Sequence, residues 1–174
     1  MAIYGARLLQ SKGGQPSLRH DALGKNSEVF AVNDIVQLNS VAGSPGELKV
    51  ASAVVAGSML VGVVAKAATM SATNTTVALV YPAFVPIYDS QIWLMGTNSD
   101  LTDNHTDGGT YYKLTGGTGA QQVDVSSGVQ TTTLRVVEIV KVDPFNKGGS
   151  GAGSGLRECA VRILKTPYTN IAAT

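Results

Sequence analysis

From Glu28 onward the chain is written in short runs of β-branched and aromatic residues separated by turn formers, and no segment sustains the apolar period of a long amphipathic helix. That pattern restricts the fold to an all-β class: an antiparallel β-sandwich or barrel, jelly-roll or β-tulip-like, with an extended N-terminal arm. Candidate strands are 28–32, 34–39, 47–51, 59–66, 76–81, 84–88, 91–95, 110–114, 121–125, 133–142 and 156–165. With 174 residues the chain is long enough to bury a core without disulfides. Its single cysteine, Cys159, has no intrachain partner.

Two candidate strands differ in their facial pattern. In 156–165, Cys159, Val161 and Ile163 alternate with Glu158 and Arg162, so one face is apolar and Cys159 reads as a small buried hydrophobe. In 133–142, Val136 and Val140 fall on one face while Val137 and Ile139 fall on the other. A strand apolar on both faces is either central between packed layers or covered by another subunit. Between the two lies a Gly/Ser-rich stretch, 147–155, which reads as a projecting hairpin loop within a β-rich body covering 28–174.

Residues 1–27 form a distinct segment. Arg7, Lys12, Arg19 and Lys25 stand against one acid, Asp21, whereas the remainder carries nine basic and eleven acidic residues. Gly13-Gly14-Gln15-Pro16 discourages both helix and strand. The segment reads either as an extended basic arm or as an ordinary disordered terminus. It contains no apolar run of signal-peptide length, so no cleaved leader is expected. The apolar stretch Val50–Ala65 is shorter than the ~20 residues that span a bilayer. Gly57-Ser58 marks a turn within it, so it reads as two strands and no membrane partner is expected.

A net charge of +1 and a charged fraction of 14% argue against nucleic acid as a partner. Gly, Ser, Thr, Asn, Ala and Val take the place of charge, a composition suited to strands, turns and close subunit contacts. Catalytic chemistry has little to work with. His20 lies in the basic segment and His105 in a polar loop where Asp103, His105, Asp107 and Gly108 occupy positions 1, 3, 5 and 6 of an EF-hand-like spacing. Position 12 is Leu114, where a bidentate Glu is required, so a polar turn is the plainer reading and another type of Ca²⁺ loop the sharper one. The glycines of 149–155 lack the Lys-Ser/Thr of a phosphate loop. No Gly-x-Ser-x-Gly or His-Glu-x-x-His is present. No enzyme activity, cofactor or metal is therefore expected. Tyr81, Phe84, Tyr88, Trp93, Tyr111 and Tyr112 fall inside candidate strands, which favours core or subunit packing over a sugar-binding platform. Asn74 and Asn104 begin Asn-x-Thr sequons in polar turns.

The order of elements carries a resemblance. An extended arm is followed by Val32-Asn33-Asp34-Ile35-Val36-Gln37-Leu38, Glu47-Leu48-Lys49-Val50-Ala51 and Leu60-Val61-Gly62-Val63-Val64-Ala65. A Thr-rich turn, the strand Val77–Pro82 and Phe84-Val85-Pro86-Ile87 come next. The second half adds a Gly-rich turn, Tyr112-Lys113-Leu114, Val123-Asp124-Val125, a long strand over 134–142 and a closing strand over 156–164. This arrangement resembles the head decoration, or cement, proteins of tailed bacteriophages, although the chain is longer than their compact lambda-type members. The resemblance implies a virion protein on the outer capsid surface, assembled in the bacterial host cytoplasm as a trimer or dimer. Such a protein clamps neighbouring major capsid protein subunits. On that reading Arg7, Lys12, Arg19 and Lys25 contact the capsid, and the two-faced apolar strand and the aromatic packing suggest Val137, Ile139, Tyr111 and Trp93 at the oligomer interface. The alternative is a carbohydrate- or receptor-binding β module of a virion fibre or tail, using Trp93, Tyr111 or Tyr112.

Overall fold

The computed structural model describes residues 4–10, 20–38, 47–51, 59–70, 83–88, 91–99, 110–130, 136–142 and 158–164, and the structural statements below concern these. They form strands β1 Arg7–Gln10, β2 His20–Asp21, β3 Val29–Phe30, β4 Ile35–Leu38, β5 Leu48–Val50, β6 Leu60–Lys66 and β7 Ala68–Thr69. The second half adds β8 Ala83–Pro86, β9 Ile92–Gly96, β10 Thr110–Thr115, β11 Gln122–Asp124, β12 Val137–Val142 and β13 Glu158–Ile163. A six-stranded sheet runs β1-β9-β13-β12-β10-β11 and a five-stranded sheet β2-β8-β6-β4-β5, while β3 and β7 form a short ribbon. Every strand pairing is antiparallel, so the all-β sandwich expected from the sequence is the fold. The candidate strand 76–81 and the Gly-rich loop 147–155 lie outside the described residues.

Alternation decides which side chains fill the space between the sheets. β13 buries Cys159, Val161 and Ile163 and turns Glu158, Ala160 and Arg162 outward. Beside them lie Trp93 and Met95 of β9, Val137 and Ile139 of β12, and Tyr112 and Leu114 of β10, facing Ile35, Leu60, Val63 and Ile87 from the other sheet. This corrects the expectation that Trp93, Val137 and Ile139 meet another subunit. They are 2%, 0% and 1% exposed and belong to the chain's own core. β12 has β13 on one side and β10 on the other, and a register shift between Ile139 and Lys141 breaks the simple alternation that the sequence suggested. Val140, on the outer face, is half-buried, as is Tyr111.

A second core lies on the opposite face of the five-stranded sheet: Phe30, Val36, Leu48, Val50, Val64, Ala68 and Met70, with Ala22, Leu23 and Phe84 packed against it. Full burial of each large aliphatic side chain contributes about 1.5–3 kcal/mol. A single sheet with apolar side chains on both faces requires a cover on each. Here the β3–β7 ribbon and residues 22–24 supply the second one.

The segment expected to be an arm is extended, and its described residues are laid onto the body. β2 pairs with β8 at one edge of the five-stranded sheet. Three residues on, Gly24 bridges Leu48 of β5 at the other edge, reinforced by Leu48 N–H to Leu23 O at 2.8 Å and Lys25 N–H to Leu48 O at 2.7 Å. The same short stretch therefore hydrogen-bonds to both edges and closes the sheet on itself. Gly24 is required there because a Cβ would stand 2.7 Å from the Phe30 ring and 2.9 Å from Met70. In the six-stranded sheet, β1 pairs with β9, and the Gly5 N–H donates to Gln121 O, just ahead of β11, at 2.8 Å. Beyond that point Thr97 bridges Val123 directly. β1 and β11, the two edges of that sheet, are thus drawn together as well.

Deleting residues 1–10 is expected to lower the melting temperature by about 5–10 °C, from the loss of a paired strand and buried Ala6. Differential scanning calorimetry checks this. An unchanged transition would mean that the segment hangs free.

Candidate interaction surface

Three chain segments meet at one end of the sandwich: the entry Tyr4–Ala6, the turn between β3 and β4, and the β10–β11 hairpin tip. Their meeting is organised by two buried polar side chains. The Gln121 amide Oε1 accepts the Ile35 N–H, and its Nε2 donates to Ile35 O at 3.0 Å and Ala51 O at 2.8 Å. A primary amide offers an acceptor and two donors in one plane, so it caps β4 in the manner of an adjacent strand. Asp34 does the second part. Its Oδ2 accepts Ala31 N–H at 2.9 Å and its Oδ1 accepts Gly119 N–H at 2.8 Å, tying the turn to the hairpin tip. Burial pushes its carboxyl above the usual range, with the two backbone N–H groups opposing and Glu28 adding to the rise. Thr118 Oγ1 donates to Val29 O at 2.9 Å across the same seam. Asn33 and Gly5 both adopt φ near +75°, and a Cβ at position 5 would lie 2.5 Å from Asn33 O.

Several of the side chains exposed around this polar joint are apolar. Tyr4, Val29 and Val32 are each about half exposed, and on β1, just after this segment, Leu8 and Leu9 are 42% and 58% exposed. Scattered single apolar residues on a surface carry no meaning, whereas several on adjoining, well-fixed segments are a feature of interaction sites.

At the other end of β11, Asp124 accepts hydrogen bonds from Asn98 Nδ2 (2.8 Å), Ser126 Oγ (2.8 Å) and Ser127 Oγ (2.6 Å), with Lys113 Nζ at 3.5 Å. Burial alone would raise its pKa. The bonds from Ser127, Ser126 and Asn98 outweigh it and hold the carboxyl at about 2. Cys159 is the reverse case. Burial, followed by the neighbouring Glu158, pushes its thiol up to about 12, and Sγ lies 3.5 Å from Met95 O, so it is no nucleophile at neutral pH.

Of the basic residues singled out in the sequence, Arg7 is half exposed and 3.6 Å from Glu158, and Lys25 is 3.7 Å from Glu28. Exposed pairs of this kind contribute little to stability and leave the cations open to a partner. Lys12 and Arg19 lie outside the described residues, as do the loop containing Asp103, His105, Asp107 and Gly108, both sequons, and Tyr81. Tyr111 lies on the outer face opposite Glu138, which pairs with Arg162 at 2.7 Å. Trp93 and Tyr112 are in the core, so neither can stack on a sugar, and Phe84 belongs to the second core. Among the described residues no group of three His, Cys, Asp or Glu side chains is placed to hold a metal ion, and no helix is long and apolar enough to cross a membrane.

Replacing Gln121 with Glu should destabilise the fold by about 3 kcal/mol at pH 7, since a carboxylate would face two carbonyl oxygens in a buried site. Burial raises the folded-state pKa of such a group, so stability should recover as pH falls through that pKa and level off below the unfolded value near ~4.3. Denaturant titrations at pH 7 and pH 4 check this. Asp124 has the opposite sign. Its depressed pKa stabilises the fold above pH ~4 and the effect is lost as pH falls toward ~2, so Asp124→Asn should cost about 2 kcal/mol at neutral pH and almost nothing near pH ~2. The same titrations on that variant measure it.

No family model, no curated protein and no solved structure matches this chain.

Proposed function

We propose that the chain is a non-enzymatic capsid decoration protein that binds the outer surface of a phage head and clamps neighbouring major capsid protein subunits. The observation that carries the reading is the exposed apolar side chains Tyr4, Val29 and Val32 around a buried polar joint, with Leu8, Leu9 and the half-exposed cation Arg7 on β1 beside it. A clamp must present apolar contact area without reorganising, because ordering flexible segments on binding subtracts from affinity. Repetition over a shell then multiplies modest single contacts through avidity. The order of elements described above, which resembles that of the decoration proteins, supports the same reading. A glycan-binding role is less favoured, because two of its three candidate aromatics, Trp93 and Tyr112, are buried.

Co-sedimentation with expanded, mature heads and with unexpanded proheads provides the test. Saturable binding to mature heads is expected, with little to proheads. Replacing Leu8 and Leu9 together with Ser should weaken it at least tenfold without loss of fold. Failure of the purified protein to bind mature heads would remove the proposal.

A further inference from the structure

β1 covers an edge while burying little of itself. Ala6, immediately before it, is buried, but Arg7, Leu8 and Leu9 remain exposed. What β1 contributes is backbone pairing: Arg7 with Leu94, Leu8 with Trp93 and Gln10 with Ile92. The N–H groups of Gly5 and Ala6 bond to Gln121 O and Asn33 O, both at 2.8 Å, and Arg7 pairs with Glu158. None of these contacts depends on which copy of the chain supplies the strand. Nine residues, 11–19, join β1 to β2, and they include Gly13, Gly14 and Pro16. Fully extended, such a connection reaches roughly 30 Å, about the width of a small domain.

We infer that β1 is an exchangeable strand whose partner is a second copy of this chain, residues 5–10 of one copy closing the β9 edge of its neighbour. The contacts are the same in the closed and exchanged forms. The balance is therefore set by the concentration of neighbouring copies against that of the tethered strand, which is of millimolar order. Exchange is populated where copies are crowded side by side and absent in dilute solution. The register shift between Leu8 and Gln10 distorts the outer edge of β1 and discourages a further strand there, so exchange ends in a closed contact instead of a growing sheet. The inference rests on this pairing and is independent of the decoration reading.

The test uses Arg7→Cys and Leu94→Cys in a Cys159→Ala background. With both changes on one chain at micromolar concentration, oxidation should give a disulfide within the chain, and failure to do so overturns the pairing and the inference with it. The two single variants, one isotopically labelled, are then mixed at millimolar concentration, incubated and oxidised. A product at twice the 17.9 kDa chain mass, with position 7 of one chain joined to position 94 of the other, is the expected result. Its yield should fall at least tenfold on hundredfold dilution before oxidation. If the mixture yields only unlinked chains and like-with-like dimers, β1 does not exchange.

Discussion

The Gln121 side chain is the point on which the two sheets depend for their relative position. Its amide is sequestered from water and meets the Ile35 peptide from both sides while also reaching Ala51 O. Apolar packing between sheets is non-directional and tolerates sliding, whereas a planar amide with three directed bonds does not. Asp34 adds a second directed link one residue away, from the β3–β4 turn to the hairpin tip. Sliding one sheet over the other would leave buried donors and acceptors unpaired, at about 1–3 kcal/mol each. The exposed Tyr4, Val29 and Val32 at that end of the molecule sit beside these directed links.

The N-terminal segment has a comparable role at the edges. Open sheet edges invite unwanted pairing, and small sheets with two apolar faces need covers. Residues 20–25 contact both edges of the five-stranded sheet, and residues 5–10 occupy the gap between β9 and the start of β11. Much of the segment's work there is done by backbone N–H and C=O groups. Gly24 fits for the same reason, lying where the Phe30 ring leaves no room for a side chain.

Much of the fold was legible because period-two alternation is a direct imprint of a half-buried sheet. Cys159, Val161 and Ile163 announced β13, and the runs at 34–39, 59–66 and 110–114 correspond to β4, β6 and β10. β1, β2 and β7 were not legible. They are short, and β1 is held by main-chain pairing that leaves little trace in side-chain pattern. Trp93, Val137 and Ile139 were misplaced at an interface because an apolar doublet looks the same whether a second sheet or a second subunit covers it. The joint was hidden for another reason: Gln121 and Asp34 act across 86 and 85 residues of sequence, and a polar residue in a strand ordinarily signals solvent. Asn33-Asp34 carried a turn signal, though nothing in it pointed to the hairpin tip.

Closure of both sheets by one early segment also sets an order of events during synthesis. Residues 5–10 leave the ribosome well before their partners at Leu94 and Gln121, which are made some ninety and more residues later. A segment made earlier than its partners thus finds its place only after them. Until then β9 and β8 each carry an unpaired edge, and contacts of such long sequence separation form slowly. The nascent protein must therefore stay soluble with its seams open, a demand met more readily by a chain rich in glycine, serine and threonine than by one with long apolar strands.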